Sequence, residues 1–152
     1  MVTVRPAGAR TIEEILACAR ARLVRLNPEG RWYERIHLGE SHEVWVISWL
    51  PGQATGFHDH GGSAGAFAVV WGTLVERRAV GASTTGQVLA KPIGAGGARA
   101  FGPRYIHDVR NAAASSVAVS VHAYSPPLSA MTRYDLTAGG LVAIRKEGAD
   151  DW

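Results

Sequence analysis

From residue 31 onward the chain is a series of short runs rich in β-branched and aromatic residues, each bounded by glycine or small polar residues. The clearest runs are RWYERIHL, HEVWVISWL, AFAVVWG, TLVERRAV, QVLAK, SVAVSVHAY and LVAIRKE. Many short strands at close spacing are typical of an all-β sandwich or barrel. The pattern predicts a β-barrel over residues 31–146, inside a single domain that spans residues 1–152.

A helix is predicted over residues 11–26, ahead of the first strand. Thr11 followed by Glu14 is the arrangement in which side chains and backbone donors cap each other at a helix start. Asn27 and Pro28 end the pattern. The apolar residues between these signals recur at helical spacing and form one face, made of Ile12, Ile15, Leu16, Ala19, Leu23 and Leu26.

Charge and cysteine content exclude several classes of protein. The net charge of +3 comes from 16 Lys and Arg against 13 Asp and Glu, and the arginines are scattered rather than clustered in a basic stripe. We therefore expect no nucleic-acid partner. The single cysteine, Cys18, allows no internal disulfide, and no secretory signal or membrane-length apolar run is visible. We expect a cytoplasmic protein without a membrane partner, and a monomer or weak homo-oligomer.

The stretch TGFHDHGGSAG carries two histidines separated by one acid. If the stretch is a strand, His58 and His60 point to one side and Asp59 to the other, so two imidazoles share one volume. A metal site and a hydrogen-bonded pair of strand histidines are both open from this feature alone. His37 and His42 flank the turn LGES, where solvated loop positions are expected.

The surroundings of the pair resemble the two signatures of the cupin superfamily. The first signature, G-x5-HxH-x4-G-x6-G, is completed by Gly52, Gly65 and Gly72. The second is GARAFGPRYIHDVRN, which contains His107 and, four residues later, Asn111. This resemblance implies a double-stranded β-helix, or jelly-roll barrel, and a third metal ligand at His107. Many cupins have a glutamate ligand where Gly65 stands, so three neutral imidazoles are expected here, a set that suits Fe(II), Zn, Cu or Ni.

A second polar cluster lies in SVAVSVHAYSPPL. Ser120, His122 and Tyr124 alternate along one predicted strand and therefore share a face. Buried together, these side chains require mutual hydrogen bonds, so a purely structural polar ladder is one interpretation. The other is a functional relay, in which serine fixes the histidine tautomer, histidine orients the tyrosine hydroxyl, and tyrosine presents a hydrogen bond at the metal.

Over roughly residues 30–137 the sequence resembles cysteine dioxygenase, a thiol-oxidising branch of the cupins. The resemblance is carried by HDH with the following Ser63, by HxxxN at 107–111, and above all by SVHAYSPP at 120–127. It implies conversion of L-cysteine and O2 to cysteine sulfinic acid, with both substrates held at the metal. The family's residues map onto this sequence as Fe(II) ligands His58, His60 and His107 and as an outer triad of Ser120, His122 and Tyr124.

The family also carries a carboxylate-binding arginine in a Tyr-x-Arg element, which YER supplies here as Tyr33 and Arg35. A guanidinium binds a carboxylate through two parallel hydrogen bonds, so Arg35 would select an amino acid over a simple thiol. Without the resemblance, an arginine in a hairpin is interpreted as a solvated surface group. Gly65 stands where the animal enzymes have a cysteine cross-linked to the active-site tyrosine, so the resemblance implies that Tyr124 is a free phenol.

Three other functions remain open from the sequence. The first is a dioxygenase for another small thiol, such as 3-mercaptopropionate or cysteamine. The second is a non-catalytic cupin that binds a metal or small ligand as a sensor or store. The third is a zinc-type isomerase or hydrolase, since the HxH signature serves all of these equally.

Overall fold

The computed structural model describes residues 24–80, 86–148 and 151, and this part of the chain is built from strands. Within it no helix has the length and apolar character needed to cross a bilayer. The eleven strands are β1 (Trp32–Leu38), β2 (Glu43–Trp49), β3 (Phe57–His58), β4 (Ala64–Trp71), β5 (Thr73–Ala79), β6 (Val88–Gly94), β7 (Ala98–Phe101), β8 (Asp108–Arg110), β9 (Ala118–Ser125), β10 (Ala130–Thr137) and β11 (Gly140–Gly148).

The strands form one five-stranded sheet of order β1-β2-β9-β4-β7 and two three-stranded sheets of order β11-β10-β3 and β6-β5-β8. All of the pairings are antiparallel. Strand β9 lies at the centre of the large sheet, where His122 is opposite Trp45 on one side and Phe67 on the other. The candidate site residues of β9 are therefore held by hydrogen-bonded neighbours on both sides.

The core lies between the large sheet and the sheet that contains β5 and β8. Trp49, Phe67 and Ala118 of the large sheet pack in one buried cluster with Leu74 and Val109 of the other. Each of these five side chains is almost completely removed from water. Burial of apolar area on this scale is the main favourable contribution to the folding of the barrel.

The connection between β4 and β5 shows how local sequence closes the barrel. Gly72 has a φ of +72°, in the left-handed region that side chains other than glycine rarely adopt. A Cβ at this position would collide with the backbone carbonyl of Val117. The glycine therefore permits both the sharp reversal of the chain and the close approach of the segment before β9.

The predicted all-β cupin fold is confirmed. The predicted helix over 11–26 and Cys18 fall largely or wholly outside the described residues, and residues 24–26 are irregular. Three strands were not predicted: β7 is a four-residue strand of alternating burial, β8 is only three residues long, and β10 is half-buried along most of its length. The strand assumed for the histidine pair is reduced to β3, which is two residues long. None of these segments has the dense β-branched pattern that identified the others.

Candidate metal centre and its cavity

Three histidines from separate parts of the chain converge on one point. The ring centroids of His58 and His60 lie 4.9 Å apart, those of His58 and His107 4.9 Å, and those of His60 and His107 5.1 Å. One nitrogen from each ring falls within 4.8 Å of the others, which is a spacing that could hold a metal ion. The backbones of His58 and His107 exchange two hydrogen bonds, of 3.0 and 3.2 Å, so the distant segments are joined at the ligands themselves.

The geometry of the HxH pair differs from the sequence expectation in one respect. Strand β3 ends at His58, so His60 lies in the turn that follows and not on the same strand. The turn is fixed by the Asp59 carboxylate, whose Oδ1 accepts hydrogen bonds from the backbone N–H groups of Gly61 (3.0 Å) and Thr132 (2.9 Å). The convergence of the two imidazoles therefore comes from an anchored turn rather than from strand alternation.

The ring nitrogens of these histidines are arranged as metal binding requires. Nδ1 of His58 donates to the carbonyl of Gly56 at 2.9 Å, and Nδ1 of His107 donates to Glu76 at 3.0 Å, which leaves Nε2 of each ring with a free lone pair. His60 is fully buried, and among the described residues neither of its ring nitrogens makes a hydrogen bond of normal geometry, although the Tyr105 backbone interacts with the ring and acts to raise its pKa. Buried nitrogens are rarely left without partners, so this orphaned ring fits a metal ligand.

The protonation state of the rings also fits. Burial lowers the pKa of His58 well below its ordinary value and lowers the pKa of His60 to about 3. The charge of neighbouring His107 acts in the same direction on both rings. Both imidazoles are therefore neutral at pH 7, which is the form that coordinates a metal.

A buried carboxylate orients the third ligand. Glu76 on β5 is 3% exposed, and it accepts hydrogen bonds from His107, from the Tyr105 hydroxyl at 3.1 Å and from Arg99 at 2.7 Å. Burial raises the pKa of Glu76, but the bonds from His107 and Tyr105 and the charge of Arg99 outweigh it, so the net pKa is lowered. The group stays ionised and holds the His107 ring in place. Sequence reasoning missed Glu76, although its alternation with buried Leu74 places it on the inner face.

The predicted polar ladder is assembled in the core. Oγ of Ser120 lies 2.8 Å from Nε2 of His122, and Nδ1 of His122 lies 3.3 Å from the Tyr124 hydroxyl. The ladder has a fourth member that the sequence did not reveal, because Nε1 of Trp49 donates to Ser120 Oγ at 2.8 Å. Burial lowers the pKa of His122 and raises the pKa of Tyr124, so both side chains are neutral across the physiological range.

His58 and His107 of the histidine centre and His122 and Tyr124 of the ladder line one cavity of about 260 Å³. The cavity is bounded by residues of the five-stranded sheet and of both three-stranded sheets, so its walls come from strands that are distant in sequence. Its lining consists of Arg31, Tyr33, Trp45, Ile47, Thr55, His58, His107, Val109, His122, Tyr124, Leu128, Met131, Arg133, Glu147 and Asp151. A cavity of this size suits a small substrate.

Two arginines line the cavity, and only one of them lacks an anionic partner among the described residues. Arg133 is paired with Glu147 at 2.8 Å and also donates to the carbonyl of Thr55 at 3.1 Å. Arg31 lies over the Trp49 ring at 5.3 Å and forms no ion pair with any described residue. Burial, followed by the charge of Arg133, lowers the pKa of Arg31. An unpaired, half-buried guanidinium favours an anionic ligand.

The structure does not bring Arg35 into the cavity. Tyr33 lines the cavity as expected, but the Arg35 guanidinium lies over the Trp45 ring at 5.3 Å and faces Glu43 at 3.4 Å. Sequence reasoning missed Arg31, because an arginine just before a strand resembles a solvated one, and it missed Arg133 because β10 was not recognised. The role predicted for Arg35 stays a prediction, and Arg31 is the residue that the geometry favours.

Gly65 faces an aromatic ring instead of an open coordination position. A Cβ at Gly65 would lie 2.7 Å from the Phe101 ring and 2.9 Å from the carbonyl of Ala123. Phe101 itself is stacked on His60, with ring centroids 4.6 Å apart. The space that a fourth protein ligand would need is therefore occupied by the core, which agrees with a centre of three protein ligands.

Comparisons with known proteins agree with this geometry. The model of a protein family described as cysteine dioxygenase type I matches residues 13–137. No curated protein sequence matches the chain. Among solved structures, the chain is similar to the protein TT1209 from Thermus thermophilus, with 27% identity, a TM-score of 0.59, and coverage of 69% of this chain and 91% of that chain.

Two further solved structures show the same fold. A protein with a double-stranded β-helix domain from Klebsiella pneumoniae has 17% identity and a TM-score of 0.58, with 80% of this chain and 90% of that chain covered. An RmlC-like cupin from Desulfovibrio desulfuricans has 20% identity and a TM-score of 0.55, with 71% and 93% covered. The barrel is therefore shared with proteins of widely different sequence.

Proposed function

The chain belongs to the cysteine dioxygenase type I family, and from this premise we propose that it is an Fe(II)-dependent thiol dioxygenase that converts L-cysteine and O2 to cysteine sulfinic acid. The observation that carries the proposal is the shared cavity, which is lined by His58 and His107 of the histidine centre and by His122 and Tyr124 of the ladder. A cupin that only stores a metal has no need for such a ladder.

Iron would be held by His58, His60 and His107, whose converging ring nitrogens fit a divalent cation of this kind. A bound ferrous ion supplies the one-electron chemistry that allows O2 to react with a thiol. The protein's own contribution is a set of neutral ligands, which leaves the positive charge of the ion uncompensated and therefore favours an anionic thiolate substrate.

Tyr124 acts in this proposal as a neutral hydrogen-bond donor. Burial raises the pKa of Tyr124, so the phenol keeps its hydrogen across the physiological pH range. The hydroxyl is positioned by His122 and Ser120 and lines the cavity beside the histidine centre. A donor held in place before the reaction can stabilise negative charge that develops on an oxygen or sulfur atom of the substrate.

Arg31 recognises the substrate carboxylate in this proposal. In the part of the chain that the structure describes, Arg31 is the cavity cation without an anionic partner, whereas Arg133 is already paired with Glu147. A carboxylate is present in cysteine and in 3-mercaptopropionate but absent from cysteamine. Arg31 would therefore favour cysteine over cysteamine. The choice of cysteine over 3-mercaptopropionate in this proposal is supported by the family match.

The test is O2 uptake by iron-loaded protein prepared without air, followed by the mass of the product. Cysteine is expected to consume one O2 per thiol and to gain two oxygen atoms, and cysteamine is expected to react poorly. If iron binds and no thiol stimulates O2 uptake, the protein is a non-catalytic cupin or a cupin of another reaction class.

Two matched arginine variants test the recognition of the carboxylate. Arg31→Gln is expected to raise KM for cysteine by roughly tenfold or more, since it removes a bidentate charged contact. Arg35→Gln, four residues along, is the control and should leave KM nearly unchanged. If KM rose in Arg35→Gln and stayed nearly unchanged in Arg31→Gln, the carboxylate-binding role would belong to Arg35, as the sequence predicted.

A further inference from the structure

The polar ladder ends, on the side away from the cavity, at Trp49, which does not line the cavity. Trp49 and Ser120 are both completely buried, and the indole N–H of Trp49 donates to Ser120 Oγ at 2.8 Å. An indole nitrogen can donate a hydrogen bond but cannot accept one. The direction of this first bond is therefore fixed by chemistry, and each later bond can be assigned from it.

The hydroxyl hydrogen of Ser120 has one acceptor among the described residues. Its oxygen accepts from Trp49, and the other polar atom in contact with it in the described part of the chain is Nε2 of His122, at 2.8 Å. A buried hydroxyl that left its hydrogen without an acceptor would lose a full hydrogen bond. Ser120 therefore donates to Nε2, and this ring nitrogen carries no hydrogen.

A neutral imidazole has one N–H group, so the hydrogen of His122 resides on Nδ1. Nδ1 lies 3.3 Å from the Tyr124 oxygen and donates to it. The Tyr124 oxygen accepts this bond, and its own hydrogen remains available. Since Tyr124 lines the cavity, that hydrogen can be donated to a group bound there.

We propose that Trp49 is a positioning residue that sets the polarity of the ladder, so that the Tyr124 hydroxyl donates into the cavity rather than back to His122. The consequence for catalysis rests on the proposed thiol oxidation, but the hydrogen positions do not. The acceptor in the cavity is an oxygen or sulfur atom with negative charge on the substrate, because a phenol donor is matched to such an atom.

The reverse direction of hydrogen-bond donation along the ladder shows why Trp49 determines which direction is adopted. In that arrangement Tyr124 donates to Nδ1, and Nε2 of His122 donates to Ser120, with the same number of bonds between the three residues. Ser120 Oγ would then accept from both His122 and Trp49, and its hydrogen would have no buried acceptor. The loss of one buried hydrogen bond disfavours this arrangement on the order of tenfold or more.

The tautomer of His122 measures the polarity directly, without reference to activity. Full-length protein labelled with 15N-histidine and loaded with diamagnetic Zn(II) is used, and the His122 signals are identified by their loss in His122→Gln. The expected spectrum shows a protonated Nδ1 and an unprotonated Nε2. A protonated Nε2, or an imidazolium with both nitrogens protonated, would overturn the assignment.

The decisive variant replaces Trp49 with 3-benzothienylalanine, which keeps the bicyclic shape and places sulfur where the N–H was. Its expected effect is a shift of His122 toward the Nε2-protonated tautomer. The same replacement at Trp45, whose buried Nε1 makes no hydrogen bond to any described residue, is the matched control and should leave the tautomer unchanged. An unchanged tautomer in the Trp49 analogue would refute the proposal.

Kinetics with the iron-loaded enzyme give the second readout. The Trp49 analogue is expected to lower kcat for cysteine several-fold with little change in KM, because it misdirects a donor used during the reaction. In Tyr124→Phe, which has no hydroxyl to direct, the same replacement should cause no further loss, whereas additive losses would contradict the proposed route through Tyr124. If no thiol is oxidised at all, the proposed function fails and the tautomer measurement still decides the role of Trp49.

Discussion

His107 owes the orientation of its ring to the buried carboxylate of Glu76, and a charged acceptor on Nδ1 makes Nε2 a stronger donor toward a metal. Glu76→Gln keeps an oxygen acceptor but removes the charge. We expect the variant to bind Co(II), as a spectroscopic substitute for iron, roughly ten- to a hundredfold more weakly. Titration against a competing chelator measures this change.

The control for Glu76→Gln is a second buried carboxylate in a different part of the barrel. Glu43 accepts hydrogen bonds from the Leu128 backbone at 2.9 Å and from Arg35, and it contacts none of the three histidines. Glu43→Gln should lower stability without changing metal affinity. Equal losses of affinity in both variants would show that Glu76 acts through the stability of the barrel.

Gly65 is expected to tolerate no side chain, because the Phe101 ring and the Ala123 carbonyl fill its surroundings. We expect Gly65→Ala to lower the free energy of unfolding by about 1–3 kcal/mol, the usual range for overpacking in a core. Gly102→Ala is the control, since a Cβ there meets nothing within 4 Å. Urea denaturation of both variants gives the comparison, and equal stabilities would contradict the predicted clash.

At the scale of elements, β10 pairs with β3, which carries His58, and holds the turn that carries His60. Asp59 accepts from Gly61 and Thr132 through Oδ1 and from the Tyr134 hydroxyl, at 2.8 Å, through Oδ2. Burial raises the pKa of Asp59, but these bonds outweigh it and leave the pKa below its ordinary value. The carboxylate therefore remains charged and keeps the turn docked on β10.

Removing this anchor should disturb the metal centre rather than the barrel as a whole. In Asp59→Ala we expect metal affinity to fall about tenfold or more, because the ring of His60 is no longer held beside His58. Asp135→Ala, an exposed acid on the same strand β10, is the control and should leave affinity unchanged. Chelator competition measures both, and intact affinity in Asp59→Ala would mean that the backbone holds His60 unaided.

The sequence predicted those elements whose pattern repeats within a strand. The alternation of Ser120, His122 and Tyr124 sufficed to place all three on one face of β9. The spacing of His58 and His60 drew attention to that pair, and the resemblance to the cupin signatures nominated His107. The sequence predicted neither that the strand at the histidine pair ends at His58 nor that this strand pairs with β10, because neither feature has a local signal. Arg31 and Trp49 were missed because their roles depend on partners that are distant in sequence.

At the scale of the molecule, the candidate site is part of the buried core of the barrel. Tyr124 belongs to the cluster that contains Trp49, Phe67 and Phe101, and the ligands His58, His60 and His107 are buried beside it. The barrel must therefore bury several titratable imidazoles in addition to its apolar side chains. Such burial is compatible with folding only while the rings are neutral or bound to a metal.

This requirement predicts a strong acid sensitivity of the metal-free protein. The pKa values of His58, His60 and His122 are lowered by burial in the folded state, whereas in the unfolded chain they lie near 6.5. As the pH falls below 6.5 the unfolded state binds protons that the folded state does not, so stability is full above this value and is lost below it. Each histidine should remove roughly 1 kcal/mol between pH 7 and 5.5.

Urea denaturation of the metal-free protein at the two pH values measures this loss. His60→Asn removes one of the three groups, so its loss over the same interval should be smaller by about a third. A bound metal occupies the ligand nitrogens and should stabilise the protein at pH 7 in proportion to its affinity. If the metal-free protein were equally stable at pH 7 and 5.5, the three rings would not be buried in the neutral form, and the core of the barrel would have to be hydrated.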